Sequence, residues 1–130
     1  MQTVQELIAG DQFCNFIGVE LLDVQLGTAK AKIEIKEHHL NGAGIIQGGV
    51  IFTLADLVVA AAANSHENIS LVINSNISYI KAVSKGTLYA QAQEESLGSK
   101  LGTYSVKVTN DAGELIANVQ SMVYRKRSNP

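Results

Sequence analysis

The stretch Gly48-Gly49-Val50-Ile51-Phe52-Thr53-Leu54-Ala55-Asp56-Leu57-Val58-Val59-Ala60-Ala61-Ala62-Ala63-Asn64 decides the fold. It follows a glycine-bearing loop, Asn41-Gly42-Ala43-Gly44-Ile45-Ile46-Gln47, and stays apolar for about four turns. Its alanine-rich second half favours a helix over a strand. A helix this apolar must bury most of its surface. One charged side chain, Asp56, lies inside it. Such a group is seldom buried without a partner or a task.

On a wheel of about 100° per residue, Gly49, Thr53, Asp56, Ala60 and Ala63 form one small or polar stripe. Ile51, Leu54, Val58 and Ala62 lie opposite, suited to burial against a sheet. The small stripe lets another body approach closely, and a second copy of the same helix fits that description.

Thr3 and Glu6 have capping-box spacing. They predict a first helix over residues 3–16, with Phe13, Phe16 and Ile17 as its apolar face and Gly18 as its end. Cys14 reads as a small buried hydrophobe. Residues 19–26 alternate loosely and residues 29–35 strictly, so they predict a hairpin turning at Gly27-Thr28. Beyond the central helix, strands are predicted over residues 69–80, 87–94, 103–109 and 115–124. Turns at Gly86, Leu97-Gly98-Ser99-Lys100 and Asn110-Asp111-Ala112-Gly113 separate them. Short turns make these four strands antiparallel neighbours. The polar tail over residues 125–130 reads as frayed. The pattern predicts an α+β fold, an antiparallel sheet wrapped around one long central helix, in a single domain over residues 1–130.

A chain of 130 residues is sized for one core. It is 46% hydrophobic and 17% charged, so its solvated face is small and an oligomer is expected. The net charge of -2 provides no field for nucleic acid or membrane. The single cysteine forms no internal disulfide, which fits a reducing, cytoplasmic setting. Residues 1–6 have no signal-peptide pattern. The central helix is short for a bilayer span and carries Asp56 near its middle, so it reads as a core helix.

Gly48 and Gly49 leave backbone N–H groups uncovered at the helix start. With the helix dipole they favour negative charge, including an oxyanion developing on a carbonyl. A carboxylate beside such donors can hydrolyse a thioester, with Asp56 attacking directly or deprotonating water. Gly48 and Asp56 are eight residues apart, about 12 Å along the axis. Reacting groups must converge to roughly 3 Å. One helix therefore does not supply both parts of one site. Two antiparallel helices across a two-fold axis do, each giving Gly48 to one site and Asp56 to the other. Plainer roles exist too: a double glycine opens many helices, a mid-helix Asp can simply be solvated or paired, and Asn41 can be a turn residue. His38, His39 and His66 fall in predicted loops with no metal-ligand spacing, so no metal is expected.

The run Asn41-Gly42-x-Gly44-x-x-Gln47-Gly48-Gly49-x-x-x-x-Leu54-Ala55-Asp56 resembles the hotdog-fold acyl-CoA thioesterases of the phenylacetate-pathway, PaaI-like group. The runs Asn76-Ile77-Ser78-Tyr79-Ile80-Lys81-Ala82 and Gly98-Ser99-Lys100 are similar to that group's strand after the helix and its glycine-plus-basic turn. The resemblance extends over residues 11–124. It implies a hotdog fold, dimers joined edge to edge, often paired into tetramers, and no cofactor. It implies that Asp56 is the catalytic nucleophile or general base and that the Gly48 N–H polarises the thioester carbonyl. It implies that Asn41 orients the thioester or the water, with Asp56 and the Gly48/Asn41 pair coming from different subunits. Gln47 and Gly49 complete the substrate-binding loop, and Lys100 is a candidate for coenzyme A phosphates, alongside Lys81, Lys85 and the Arg125-Lys126-Arg127 tail. The alternative for each lysine is a solvated surface charge. Tyr79 and Tyr104 read as strand packing.

The chain departs from the group at two places. Many relatives carry His where Gln47 stands, and Gln carries no proton at neutral pH. Many carry Ser or Thr where Val72 stands; Asn74, taken to share its strand face, is the candidate substitute. Three functions follow. The first is an acyl-CoA thioesterase releasing an acid and coenzyme A. The second is a non-catalytic acyl-CoA-binding or sensing module, which the two departures keep open. The third is a hydratase or dehydratase, disfavoured because no His lies near Asp56 in sequence.

Overall fold

The computed structural model describes residues 3–126. Met1, Gln2 and the end of the expected tail, Arg127 to Pro130, lie outside the described residues. The capping box forms as expected. Thr3 Oγ1 accepts from the Glu6 N–H at 3.1 Å, and the Glu6 carboxylate accepts from the Thr3 N–H at 3.3 Å.

The expected single N-terminal helix is in fact two. Helix α1 (Val4–Ala9) ends at Gly10, and Asp11 caps α2 (Gln12–Ile17) by accepting from the Cys14 N–H at 2.9 Å. Asp11 is extended, as a capping aspartate must be, so the helix breaks there. Gly18, at φ +92°, ends α2 in the left-handed region. The break also turns α2. Cys14 and Ile17 are its buried side, whereas Phe13 and Phe16, read as core from the sequence, are 60% and 81% exposed.

Strands β1 (Glu20–Gln25) and β2 (Thr28–Glu34) form the predicted hairpin. Helix α3 (Gly48–Ala63) follows, then β3 (Ile69–Tyr79), β4 (Thr87–Leu97), β5 (Leu101–Thr109) and β6 (Leu115–Lys126). All pairings are antiparallel, in the order β1-β2-β4-β5-β6-β3. The last four strands are therefore not neighbours in sequence order. The connection after β3 crosses the sheet so that β4 pairs with β2, and β3 lies at the edge beside β6. Strand β6 also runs further than expected, with Arg125 and Lys126 opposite Ser70 and Ile69.

The sheet curls around α3, the hotdog arrangement. Ile51, Leu54, Val58 and Ala62 are buried, and so are Ala55, Leu57, Val59, Ala61 and Ala63. Ala29 and Ala31 on β2, and Ala90 and Ala92 on β4, face inward. Their small side chains let an alanine-rich helix lie close to the sheet. Gly48–His66 is apolar enough to cross a membrane by length and composition, but it is the core helix of this fold. Its C-terminal end is tied down: the Gly27 N–H donates to Ser65 Oγ at 2.8 Å, and His66 Nε2 and the Tyr104 hydroxyl both meet Glu94 Oε1, at 2.6 and 2.7 Å.

Leu54 is fully buried on the sheet-facing side of α3. Leu54→Ala is expected to lower the unfolding free energy by about 2–5 kcal/mol, read from the denaturant midpoint of the two proteins.

Candidate active site

The loop before α3 is held at both ends. His39 is 2% exposed although the sequence placed it in an open loop. Its Nδ1 accepts from the Lys36 N–H at 2.9 Å, and its Nε2 lies 2.7 Å from the Ile17 carbonyl. With Nδ1 accepting, the Nε2–H donates to Ile17, which makes the ring neutral. The His39 carbonyl then accepts from the Gln47 N–H at 2.9 Å, and the Val83 carbonyl from the Ile46 N–H at 2.7 Å. Between these anchors Asn41 folds the loop back. Its Oδ1 accepts from the Ala43 and Ile45 N–H groups at 2.9 and 3.3 Å. Asn41 is thus a turn residue, and it is exposed. With Oδ1 so engaged, its amide Nδ2 points away from the loop's own backbone as a donor.

The helix start contains a second economy. Gln47, the N-cap, accepts from the Gly49 N–H through Oε1 at 2.5 Å. Its carbonyl accepts from the Val50 N–H at 2.9 Å. Of the two glycine amides expected to face a ligand, Gly49 is therefore occupied. The Gly48 N–H has no acceptor among the described residues. Gln47 plays the capping part that its side-chain oxygen allows. A β-carbon at Gly48 would come within 2.9 Å of the Tyr79 ring, so glycine is required there for space.

Asp56 lies about 12 Å further along α3. It is half-buried, and it has no ion-pair or hydrogen-bond partner among the described residues. Burial pushes its carboxyl above the usual range, and the nearby Asp11 carboxylate pushes it the same way. Cys14 feels both charges, and its thiol is pushed up to about 12, chiefly by burial. It is an inert thiol, not a nucleophile.

Two expected site residues lie elsewhere. Asn74 does not share a face with Val72. A bulge between them shifts the register. Val72 lies opposite the buried Val123 and packs on the core, while Asn74 lies opposite Met122, one position along β6. Opposed residues share a face and successive ones alternate, so Asn74 is on the outer, exposed face. A bulge leaves no signature in residue alternation, and only the pairing reveals it. Lys100, also exposed, sits in the β4–β5 turn. Tyr79 is opposite Ala117 and Leu101 is opposite Tyr124. The β6 span between them puts Lys100 roughly 23 Å from the Gly48 end of the sheet. Of the other lysines, Lys81 is paired with Glu114. No cluster of His, Cys, Asp and Glu with metal-ligand geometry occurs among the described residues.

A hotdog sheet enclosing a helix that opens on a free glycine N–H and carries an unpaired, desolvated carboxylate defines a class of acyl-thioester enzymes. The chain belongs to the thioesterase superfamily, whose family model matches residues 43–117. It is 41% identical over 116 residues to a putative esterase of Archaeoglobus fulgidus, covering 88% of this chain and 75% of that one. It is 25% identical over 125 residues to the acyl-coenzyme A thioesterase PaaI of Escherichia coli, covering 95% of this chain and 89% of the relative. The structure of E. coli PaaI superposes with a TM-score of 0.92 at 23% identity, covering 96% of this chain and 91% of that one. The chain is a thioester hydrolase with PaaI-like relatives.

The raised Asp56 carboxyl has a consequence for stability. A folded-state pKa above the unfolded value of 3.8 means the fold favours the protonated acid. That stabilisation is present below about pH 4 and is lost as pH rises through the folded value. Asp56→Asn removes the cost of the buried charge. The variant should melt above the wild type at pH 7, and melting curves taken down to pH 4 should show the gap closing.

Proposed function

We propose that this thioester hydrolase acts on acyl-CoA, with Asp56 as nucleophile or general base and the Gly48 N–H as oxyanion donor. The observation that carries the reading is the division of labour along α3. One amide is left free where the helix dipole is positive, and one carboxylate is left unpaired two turns on. A free N–H in that place stabilises the charge that develops on the thioester oxygen. A carboxyl raised by burial and by Asp11 is a stronger base than an ordinary aspartate, once ionised. The reaction consumes water and releases a carboxylic acid and coenzyme A thiol.

The separation of about 12 Å along one helix supports a homodimer with two shared sites, Asp56 from one protomer and Gly48 with Asn41 from its partner. Edge strand β3, with Ile69, Leu71 and Ile73 exposed, supports the same assembly, and pairs of dimers are the next level. In such an assembly Lys100 of one protomer can approach the coenzyme A phosphates at a site built on the other. The outer position of Asn74 removes it from the catalytic set and leaves Val72 with no polar stand-in. That favours, as a second reading, a module that binds acyl-CoA without turning it over.

Hydrolysis of acetyl-, hexanoyl-, benzoyl- and phenylacetyl-CoA, followed by thiol release, separates the two. Turnover of at least one ester, falling about 100-fold or more in Asp56→Asn, is expected. Tight binding of intact acyl-CoA with no thiol release would select the binding module. The native mass should be that of a dimer or tetramer; a monomer would contradict the shared site.

A further inference from the structure

The start of α3 combines two requirements that conflict. An oxyanion donor must be held still to be effective, because its value lies in preorganisation. Yet Gly48 and Gly49 are the residues with the most backbone freedom to lose. Gln47 restrains one side, through Gly49 and Val50. The other restraint comes from the far side of the chain. The Tyr79 hydroxyl, at the end of β3, donates to the Gly48 carbonyl at 3.0 Å. Its ring covers the Gly48 Cα closely enough that a β-carbon would lie 2.9 Å from the ring's Cζ and hydroxyl oxygen.

We propose that Tyr79 is the positioning residue of the oxyanion donor. The proposal rests on the acyl-CoA hydrolase reading above and deepens it. Tyr79 acts on the peptide units that flank Gly48. The hydroxyl fixes the Gly48 carbonyl, the ring blocks rotation of the Cα towards β3, and the Gln47 cap closes the third direction. The free N–H is then confined to the side away from Tyr79. The residue is 53% exposed, so packing of a core does not explain it. Its hydrogen bond spends the one polar atom of an exposed side chain on a backbone carbonyl that α3 itself already engages.

The contact has a test in stability and a test in kinetics. Gly48→Ala places a methyl against the Tyr79 ring, and Tyr79→Ala removes that ring. The double variant should therefore melt no lower than Tyr79→Ala alone, whereas Gly48→Ala should melt well below the wild type. Tyr79→Phe keeps the ring and loses the hydrogen bond. On whichever of the four acyl-CoA esters the wild type hydrolyses, its kcat should fall about 10-fold with KM within about twofold. The Gly48 amide should also exchange its hydrogen faster in Tyr79→Phe. A purely structural tie would lower the melting temperature without splitting kcat from KM. Full kcat in Tyr79→Phe, in an active wild type, would overturn the positioning role and leave the hydrolase reading intact. A wild type inactive on all four esters would overturn both.

Discussion

Enclosing α3 is the constraint on which the remaining structure depends. Nine of its sixteen residues are buried, and it carries a single charge. Such a helix lowers its free energy only when apolar surface is covered, at about 25 cal/mol per Å². A flat sheet covers one side of a helix. A curled one covers several, and here β2, β4, β5 and β3 all pack on α3. The curl needs small residues where the strands pass closest, which Ala29, Ala31, Ala90 and Ala92 supply. What the sheet leaves open is limited to the N-terminus of α3 and the stripe that includes Asp56. The groups capable of chemistry are those that the packing leaves uncovered.

The N-terminus shows how backbone accounting creates a site. The first turn of any helix presents amides without intrahelical partners. Here they are satisfied from within the loop, and Gly48 remains. Gln47 stands where many relatives have His, and its side chain is committed to Gly49. A residue that looked like a defect in a catalytic loop therefore has a physical task. It removes a competing donor and fixes the direction of the remaining one.

Asp56 carries the opposite kind of burden. Its environment disfavours the ionised form, and no cation beside it compensates among the described residues. A fold optimised for stability alone would place a neutral residue there. The Asp11 carboxylate adds to the burden through the cap of α2. The break between α1 and α2 thus matters beyond the local chain, because it brings Asp11 to α3.

The sequence by itself determined the fold class. Helical period, strict alternation in 29–35 and glycine-marked turns are local signals, and they placed nearly every element. It also singled out Gly48 and Asp56, since a glycine pair at a helix start and a charge within an apolar run stand out in one dimension. Their spacing along a helix is a matter of rise per residue, so the argument for two sites was legible too. Tertiary structure alone decided the rest. Which strand lies beside β6 depends on a crossover, and crossovers leave no periodic trace. The face of Asn74 depends on a bulge defined only by its partner strand. The exposure of Phe13 and Phe16 depends on how α2 docks, and apolarity alone does not report it. Tyr79 and Gly48 are thirty-one residues apart. Nothing local joins them, and their contact exists only because the sheet brings the end of β3 back to the start of the helix it encloses.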